Sequence, residues 1–463
     1  MSFGVPGGVP GVDFGIEDLR GSFPAELAIA PLERPPRATV SVPGSKSVTN
    51  RALLVAALAE GVSEVGNVLF SDDSFYLMDS LRRLGFDLVA DPDSSVVRIE
   101  GRAGEIPAPD ADLFVGNAGT VARFLPPALA LGSGSYRMDG VPRMRERPIE
   151  DLVSALRDLD VRVAYESEPG RFPINLSSAG LRGGSVTVDG TRSSQFASGL
   201  LLAAPYAAGP LEVSISGPQR SRPYVGITLE VMRAFGVAAE HDPALSRFHL
   251  EPAVYQSRKY RIEPDASAAS YFFAAAAATG GRVRVPGLGR NTTQGDLRFV
   301  EVLERMGCSV ETGEDHVTLT GPPPPQRLRG VEVDMNAFSD TMMTLAAIAP
   351  FADGPTTITN VEHTRYQETD RLSAVATELT RLGVGVKESR SGLRIIPKNS
   401  VSGISGGVGV SPISPATVRT YDDHRMAMAF AVAGLVGGGV VISDPACVTK
   451  TFPGYFQALE GLR

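Results

Sequence analysis

The sequence predicts an α/β protein of two lobes, in which six repeated units lie three per lobe around buried helices. Two interleaved patterns lead to this interpretation: an apolar segment with a polar start recurs six times, and an amphipathic segment alternates with it. The chain length of 463 residues is the third observation. One hydrophobic core rarely serves a chain of this size, so two lobes of three units are the simplest division.

The apolar segments are predicted to be buried helices. Each starts with a short polar cluster, continues through small apolar residues with almost no charge, and ends at glycine. The copies begin at Ser45, Asn117, Ser193, Asp265, Ser339 and Asp422, with spacings of 72 to 83 residues. Ser, Asn and Asp side chains accept the free N–H groups of a first helical turn, and glycine allows the left-handed residue that ends a helix. Because the central part of each segment has almost no charged residues, we expect these helices to be buried on all sides.

The amphipathic segments are predicted to be helices that stop at a left-handed residue and run into an alternating strand. The expected left-handed positions are Gly85, Asp160, Gly236, Gly307 and Gly383. Glycine adopts this conformation without steric cost, and Asp tolerates it better than most residues do. A sixth amphipathic helix is expected to close the chain.

The lobe boundary is expected near residues 261–264. Residues 1–25 are rich in glycine and proline, which predicts a flexible N-terminal extension. Residues 398–416 have the composition of a loop.

Composition excludes several classes of protein. Hydrophobic residues make up 43% of the chain and charged residues 21%, which is the opposite of a disordered protein. Cys308 and Cys447 are too few for a disulfide framework or a zinc site, and the five histidines lack metal-ligand spacing, so no metal or cofactor is predicted. A net charge of −8 argues against a nucleic-acid partner. We expect a cytoplasmic protein with no signal peptide and no membrane span.

A set of basic residues near the helix starts stands out against this acidic background. One helix start contributes only about 0.3–1 kcal/mol toward an anion, but several starts around one cleft make an anion site. Within two turns of the helix starts are Lys46, Arg51, Arg123 and Arg425, and the neighbouring loops are expected to contribute Arg147, Arg371 and Lys450. Each polar start, taken singly, is also explained as an ordinary cap. The repeated occurrence of a polar helix start with a basic residue near it predicts one or two small ligands that carry several negative charges.

Seven short motifs then appear in a fixed order along the chain. They are Pro43-Gly44-Ser45-Lys46-Ser47 with Asn50-Arg51, Asn117-Ala118-Gly119-Thr120, Arg147-Pro148-Ile149, Ser193-Ser194-Gln195-Phe196, Glu368-Thr369-Asp370-Arg371, Asp423-His424-Arg425 and Lys450-Thr451-Phe452-Pro453. Over residues 27–463 this combination closely resembles the EPSP synthase family, the 3-phosphoshikimate 1-carboxyvinyltransferases. Any one tetrapeptide would not be specific, whereas the ordered set is.

The resemblance implies a fold of two lobes, each with three βαβαββ units, and an active site in the cleft between them. The chain of this family crosses between the lobes twice. We therefore expect residues 26–44 and 264–463 to form one lobe and residues 45–263 to form the other. The resemblance also leads us to expect a monomer that needs no cofactor.

The resemblance implies a reaction of the shikimate pathway, which leads to chorismate and the aromatic amino acids. The enolpyruvyl group of phosphoenolpyruvate moves to the 5-hydroxyl of shikimate 3-phosphate, and phosphate leaves. A base takes the hydroxyl proton, an acid protonates the methylene carbon, and a tetrahedral intermediate then expels phosphate. Positioned acid–base groups typically contribute about 10²–10⁴-fold each, and fixed positive charge stabilises the developing negative charge.

The matching motif positions imply a role for each candidate residue. Asp340 resembles the base, Glu368 the proton donor to carbon, and Lys46 a contact to both substrates, while His424 assists proton transfer or orients Arg425. The residues expected to bind phosphoenolpyruvate are Lys46, Asn117, Gly119, Arg147, Gln195, Arg371, Arg425 and Lys450. Those expected to bind shikimate 3-phosphate are Lys46, Ser47, Arg51, Ser193, Ser194, Gln195, Ser221, Tyr224, Asp340, His363 and Gln367. A cap-only role for Asp340 or Glu368 is the competing interpretation.

Two positions depart from the family pattern. His363 and Gln367 stand where the family commonly has Asn and Lys, which removes one charged contact to the acceptor. Our hypothesis is that both still contact the acceptor through neutral hydrogen bonds. Three alternatives follow: a specialised-pathway transferase acting on a shikimate-like or cyclitol acceptor, a UDP-N-acetylglucosamine enolpyruvyltransferase, and a non-catalytic sensor of phosphorylated metabolites.

Overall fold

The computed structural model describes residues 20–21, 23–398 and 411–463. Nearly all of the predicted N-terminal extension and most of the predicted loop at 398–416 lie outside the described residues. Within the described ranges the chain folds into six β-sheets with helices packed between them. This architecture confirms the predicted α/β class built from six repeated units.

The strands, in chain order, are β1 (Glu26–Ile29), β2 (Arg37–Thr39), β3 (Glu60–Gly66), β4 (Asp87–Asp91), β5 (Val96–Arg102), β6 (Asp110–Phe114), β7 (Ser133–Asp139), β8 (Arg162–Tyr165), β9 (Ile174–Ala179), β10 (Gly184–Asp189), β11 (Leu211–Ser216), β12 (Glu240–His241), β13 (Arg247–Leu250), β14 (Lys259–Arg261), β15 (Arg282–Pro286), β16 (Ser309–Thr312), β17 (His316–Thr320), β18 (Glu332–Asp334), β19 (Thr356–Thr359), β20 (Gly385–Ser389), β21 (Gly392–Ile396), β22 (Ala416–Val418) and β23 (Val440–Ser443).

The α-helices are α1 (Lys46–Leu58), α2 (Asp72–Arg83), α3 (Gly119–Leu129), α4 (Pro142–Glu146), α5 (Glu150–Asp158), α6 (Gln195–Ala203), α7 (Pro223–Ala234), α8 (Ala266–Thr279), α9 (Phe299–Arg305), α10 (Met342–Ile348), α11 (Arg371–Arg381), α12 (His424–Gly437) and α13 (Tyr455–Glu460). Among the described residues, none of these helices combines the length and the apolar character that crossing a lipid bilayer requires.

The sheets share one pattern of strand pairing. Five of them have four strands, in the orders β14-β3-β5-β4, β6-β7-β9-β8, β10-β11-β13-β12, β16-β17-β15-β2 and β18-β19-β21-β20, and the sixth has the order β1-β23-β22. Each contains one parallel pair, such as β6 with β7, and antiparallel partners beside it. The repeated topology follows from the repeated sequence pattern, because each unit contributes the same succession of elements.

Buried residues form two hydrophobic clusters. One runs from Val48 to Ile262 and contains the apolar helices α1, α3 and α6. The other combines residues of β1 and the segment after β2 with residues 266–462, and it contains α8, α10 and α12. The apolar helices are buried on nearly all sides, as their chargeless sequences predict.

The chain passes between the two clusters at two neighbouring places. Gly44 forms a bridge with Pro264, and the N–H of Ser45 donates to the carbonyl of Glu263. N-terminal to this crossing, β1 pairs with β23 and β2 pairs with β15, both in the second cluster. The start of α1 therefore stands next to the start of α8.

The predicted left-handed ends of the amphipathic helices are confirmed. Gly85, Asp160, Gly236, Gly307 and Gly383 all have positive φ, from 63° at Asp160 to 109° at Gly307. Each ends an amphipathic helix and turns the chain into the next segment. A positive φ is a backbone conformation that residues with a Cβ rarely adopt.

The glycine ends predicted for the apolar helices hold only for α8, at Gly280, and α12, at Gly438. The helices α1, α3, α6 and α10 end at alanine without a positive φ, so this prediction was wrong for them.

The predicted side-chain caps at the apolar helix starts are only partly right. Asp265 and Asp423 cap their helices, but the side chain of Ser45 makes no capping hydrogen bond, and the N–H of Lys46 donates to Asp265, 3.0 Å away. Asn117 is not a cap either, since its side-chain oxygen accepts from Arg147 at 3.2 Å.

The copy that begins at Ser339 is the irregular one. A kinked 3₁₀ segment, Asn336–Thr341, precedes α10, so Ser339 lies inside this turn and not at a helix cap. The kink sits at Phe338, whose backbone angles are not helical.

Candidate active site

A cleft lies between the two hydrophobic clusters, and the starts of α1, α3 and α6 face it from one side. The described residues that line it are Lys46, Ser47, Arg51, Asp73, Gly119, Thr120, Arg123, Arg147, Pro148, Arg192, Ser193, Ser194, Gln195, Phe196, Arg220, Ser221, Tyr224, Asp340, His363, Tyr366, Gln367, Glu368, Arg371 and Arg425. The structure thus brings together most of the predicted site residues. Asn117, His424 and Lys450 are the predicted residues that do not line it.

Arg371, the first residue of α11, is the electrostatic centre of one side of the cleft. Its Nε lies 2.8 Å from Asp423, its Nη1 3.2 Å from Asp340 and its Nη2 2.7 Å from Glu368. Burial alone would lower the pKa of the guanidinium, but these three carboxylates outweigh it and raise the pKa. Arg371 therefore stays charged and fixes both candidate acid–base groups relative to each other.

Asp340 is held by two guanidinium groups. Its Oδ2 accepts a 2.6 Å hydrogen bond from Arg425, in addition to the contact with Arg371. Desolvation favours the neutral acid, but Arg425, Arg371 and Lys46 overcome it and lower the pKa of Asp340 to about 2. The carboxylate is therefore ionised, as a group that accepts a proton must be.

Glu368 is ionised for the same reason. Burial would raise its pKa, but Arg371, Arg147, Lys450 and Lys46 hold the pKa well below the ordinary value. The carboxylate is 9% exposed, and it lies 3.9 Å from the ammonium group of Lys450. Its protonation state thus depends on the cations that surround it.

Lys450 spans the cleft behind the lining residues. Its Nζ donates to Asp73 and to the carbonyl of Asn117, both at 2.8 Å, and Asp73 also lies 3.5 Å from the Nζ of Lys46. Asp73 therefore balances two ammonium groups, one at the start of α1 and one at the end of the 3₁₀ turn Pro445–Lys450. The sequence analysis missed this residue, because an Asp in the first turn of a helix is an ordinary feature.

Gly119, at the start of α3, packs directly against the guanidinium of Arg147. A Cβ on Gly119 would lie 2.6 Å from Nη2 of Arg147, inside the limit of normal contact. Arg147 is buried and donates to Asn117, so its guanidinium is fixed against the glycine. Asn117 thus acts on the cleft through Arg147 and Lys450 and does not face it directly.

The opposite end of the cleft is rich in hydroxyl groups. Ser221 has a φ of 51°, a conformation that non-glycine residues seldom adopt, and its N–H donates to Asn336 at 3.1 Å. Its Oγ lies 3.3 Å from Nε2 of His363, which also lies 2.9 Å from Ser339. Burial, assisted by Arg220, lowers the pKa of His363 to about 4, so its ring is neutral.

The side-chain oxygen of Gln367 and the guanidinium of Arg51 are bound by other residues of the protein. The amide oxygen of Gln367 accepts a hydrogen bond from Arg371. Arg51 donates to Thr228 at 2.7 Å and to the carbonyls of Ser47 and Tyr224. Burial lowers the pKa of Arg51 to about 9. Arg51 therefore fixes the positions of two other predicted acceptor residues.

Comparison with known proteins decides the family. The family model of EPSP synthase (3-phosphoshikimate 1-carboxyvinyltransferase) matches residues 33–459. The chain belongs to the EPSP synthase family. The 3-phosphoshikimate 1-carboxyvinyltransferase of Trichormus variabilis is 49% identical over 431 residues, which cover 93% of this chain and 97% of that protein.

More distant members of the EPSP synthase family agree. The chloroplastic enzyme of Arabidopsis thaliana is 43% identical and covers 94% of this chain, with 84% of its own length matched. The structure of the EPSP synthase from Acinetobacter baumannii superposes with a TM-score of 0.76 at 26% identity and covers 94% of this chain and 97% of that one. This EPSP synthase family member therefore carries out the enolpyruvyl transfer of the shikimate pathway, as the first interpretation of the sequence holds.

His424 is the predicted catalytic residue that this EPSP synthase fold places farthest from solvent. Its ring is fully buried beside Asp423, and neither ring nitrogen has a hydrogen-bond partner among the described residues. Burial, together with Arg425 and Lys46, holds its pKa well below the ordinary value. A role in proton transfer stays a prediction, as does the alternative role of orienting Arg425.

Several residues that line the cleft were not singled out from the sequence. Arg192 and Arg220 each directly precede a predicted serine, and Tyr366 precedes Gln367. They lie in loops and a short 3₁₀ turn, where no periodicity distinguishes a functional side chain from a solvent-exposed one. Their adjacency to predicted site residues was the one signal available.

Proposed function

We propose that the cleft binds phosphoenolpyruvate at the end formed by Arg147, Arg371 and Arg425 and shikimate 3-phosphate at the hydroxyl-rich end. The observation that carries this proposal is the position of Asp340 and Glu368, two carboxylates held by one guanidinium between the two ends. Two proton-transfer groups at the junction of two anion sites fit an addition–elimination between two phosphorylated metabolites.

At the phosphoenolpyruvate end, the charge of the ligand would be met by groups that are already fixed. Arg147 is held by Asn117, Arg371 by Asp423 and Arg425 by Asp340. Preorganised cations need no rearrangement as charge develops, which is the main source of electrostatic catalysis. Gly119 lets the backbone at the start of α3 approach the ligand, and Gln195 and Lys46 complete this end.

At the acceptor end, Ser193, Ser194, Ser221 and the neutral His363 offer hydrogen bonds to the ring hydroxyls and the phosphate. Tyr224 would lie against the ring, and Ser47 and Arg51 would support it. The amide N–H group of Gln367 donates to none of the described residues, while its oxygen accepts from Arg371. This arrangement supports the hypothesis of neutral contacts from His363 and Gln367.

The proposed chemistry assigns one proton to each carboxylate. Asp340 accepts the proton of the 5-hydroxyl while the hydroxyl oxygen of the acceptor forms a bond to C2 of phosphoenolpyruvate. Glu368 delivers a proton to C3. In the second step the Glu368 carboxylate takes a proton back from C3, the C2–C3 double bond forms again, and the bond from C2 to the phosphate oxygen breaks. The proton held by Asp340 passes to the departing phosphate. Lys46 stabilises the charge on the leaving phosphate, for which a nearby ammonium group is suited.

We also propose that the lobes comprise residues 26–44 with 264–463 and residues 45–263, and that the protein acts as a monomer in the cytoplasm. The membership of the two buried clusters supports this division. Both carboxylates and the cations that hold them come from the same chain, so the proposed site needs no residue of a second copy. Cys308 and Cys447 are free and buried, which supports a reducing compartment.

The test is release of inorganic phosphate by the purified protein from phosphoenolpyruvate and shikimate 3-phosphate without added metal. We expect D340N and E368Q each to lower kcat by about 10²–10⁴-fold. Glu362 is a suitable control, because it pairs with the exposed Arg390 outside this part of the cleft, and E362Q should leave kcat within a factor of two or so. Phosphate release with a different acceptor, and none with shikimate 3-phosphate, would overturn the acceptor assignment.

A further inference from the structure

Arg220 is one of the cations lining the cleft that form no salt bridge with a carboxylate of the described residues. Its one side-chain hydrogen bond among these residues goes to the neutral amide oxygen of Asn360, and its Nε is buried without a partner. Arg147 has the same two features, with Asn117 as its partner, whereas Arg371 and Arg425 bind carboxylates. What distinguishes Arg220 is its place at the hydroxyl-rich end, directly before Ser221. There Arg390 lowers the pKa of Glu362, and Arg220 adds to this effect without forming a salt bridge.

The position of Arg220 is fixed from two sides. Its backbone N–H donates to the carbonyl of Gly190, 3.0 Å away, and its guanidinium reaches Asn360 across the cleft. Asn360 is held in turn by its amide group, which donates to Asp334 at 3.0 Å. A guanidinium held in this way is preorganised, so little side-chain entropy remains to be lost when a ligand binds.

Besides Arg220, the acceptor end has the cations Arg192 and Arg51, and the guanidinium of Arg51 is already bound by Thr228 and two carbonyls. Ser193, Ser194 and Ser221 contribute hydroxyl groups, and His363 is neutral because of burial. Gln367 is neutral as well. A phosphate monoester carries about −1.5 to −2 charges at neutral pH, and hydroxyl groups alone do not balance them.

We propose that Arg220 binds the phosphate group of the acceptor and thereby makes this end of the cleft selective for a phosphorylated acceptor. Its planar guanidinium presents parallel N–H groups that match two phosphate oxygens. Ser221, held in a left-handed conformation beside it, supplies a hydroxyl to the same group. The inference rests on the proposed function, because it takes the hydroxyl-rich end as the acceptor site.

Arg192 has a secondary part in this subsite. It also lines the cleft and directly precedes Ser193, but its side chain is 49% exposed and lies 3.7 Å from Asp151. Its charge is therefore partly neutralised and screened by solvent. We expect its removal to weaken the phosphate contact less than removal of Arg220.

The experiment compares a phosphorylated acceptor with the same acceptor lacking phosphate. We expect R220Q to raise the KM for shikimate 3-phosphate about 10- to 100-fold, the cost of one charge-assisted contact. The KM for phosphoenolpyruvate and the inhibition constant of shikimate against shikimate 3-phosphate should change less than about threefold. R220K should lie between R220Q and wild type, because an ammonium group keeps the charge but loses the bidentate geometry.

Two further variants separate phosphate binding from a structural role. N360A removes the partner that Arg220 reaches across the cleft. Equal rises in the KM for shikimate 3-phosphate in N360A and R220Q would overturn the proposal, because they would mean that Arg220 acts by joining the two sides of the cleft. R390Q removes an exposed guanidinium near the same entrance, and it should leave all three constants unchanged. Equal weakening of shikimate and shikimate 3-phosphate in R220Q, or no weakening of either, would also overturn it.

Failure of the proposed function has a separate signature. Absence of phosphate release by the wild-type protein from phosphoenolpyruvate and shikimate 3-phosphate contradicts the proposed function before any variant is compared. Activity of the wild-type protein together with unchanged acceptor selectivity in R220Q contradicts the Arg220 assignment alone.

Discussion

The hydroxyl group of Tyr224 lies 2.7 Å from the carboxylate of Asp296, which is 3% exposed. The same hydroxyl lies 3.1 Å from Asp340, so one phenol stands between two carboxyl groups. Burial, together with the negative charge of Asp340, raises the pKa of Asp296 to about 7. Asp296 thus holds a proton in the folded protein at a pH where an exposed Asp would have lost it.

Asp296 should make the stability of the protein fall as the pH rises. The folded state binds its proton more tightly than the unfolded state, whose pKa is near 3.8. Stability is therefore lost between pH about 4 and about 7, by at most about 1.4 kcal/mol per pH unit. We expect the Tm of D296N to exceed that of wild type by a margin that grows across this window and then levels off.

Thermal unfolding at a series of pH values measures this margin. D87N, at an exposed position of β4, serves as the control for a general loss of charge and should track wild type throughout. A constant difference between D296N and wild type from acid to neutral pH would show that Asp296 does not hold its proton preferentially in the folded state.

Arg143 ties the α3–α4 side of the cleft to the segment that carries Glu368. Its Nη2 lies 3.0 Å from the carbonyl of Gln367 and 3.2 Å from that of Arg365. Because the side chain is partly exposed, we take the contact as worth about 1 kcal/mol. R143Q should then lower kcat/KM about fivefold, with little change in Tm.

Arg145 provides the matched control for this prediction. It has the same charge on the same short helix, but it binds Asp139 at 2.6 Å within its own side of the cleft. R145Q should lower Tm slightly and leave kcat/KM unchanged. Equal losses of kcat/KM in both variants would mean that the general charge of α4 matters and the contact with Gln367 does not.

Gly119→Ala should weaken binding of phosphoenolpyruvate selectively. The added Cβ would meet Nη2 of Arg147 at 2.6 Å, and Arg147 can give way only by breaking its contacts with Asn117. Displacement of one charge-assisted contact predicts a rise of about tenfold in the KM for phosphoenolpyruvate. The KM for shikimate 3-phosphate should stay within about twofold, since its proposed subsite lies at the other end.

Gly226→Ala is the control for the loss of a glycine. Gly226 lies within α7, and a Cβ there would have no atom within 4 Å. Alanine favours a helix over glycine by about 0.5–1 kcal/mol, so this variant should be slightly more stable with unchanged kinetics. A rise in both KM values in G119A would indicate a general distortion of the cleft.

The features that the sequence predicted well are those that local chemistry determines. The left-handed ends at Gly85 and Asp160 depend on backbone preferences of single residues, and they are confirmed. The cap predicted at Asn117 was wrong because a distant partner, Arg147, takes its side-chain oxygen. Asp73 and Arg220 escaped notice for the same reason, since their partners come from far along the chain.

Glu368 must gain a proton before it can give one to carbon. In the protein alone its carboxylate is ionised, because four neighbouring cations hold its pKa well below the ordinary value. Phosphoenolpyruvate brings negative charge to the same cations, and added negative charge raises the pKa of a nearby carboxyl group. We therefore expect binding of phosphoenolpyruvate to be accompanied by proton uptake at Glu368.

Titration calorimetry in buffers of different ionisation enthalpy measures this uptake. The proton number for E368Q should be lower than that of wild type by as much as one proton, while E362Q should match wild type because Glu362 pairs with Arg390 instead. The affinity of wild type should also fall more steeply than that of E368Q as pH rises, since proton uptake becomes harder. The phosphate group of the ligand titrates in the same range, but it contributes equally to all three proteins. Equal proton numbers for wild type and E368Q would therefore mean that Glu368 stays ionised when phosphoenolpyruvate binds, and the proton for C3 would have to come from another group.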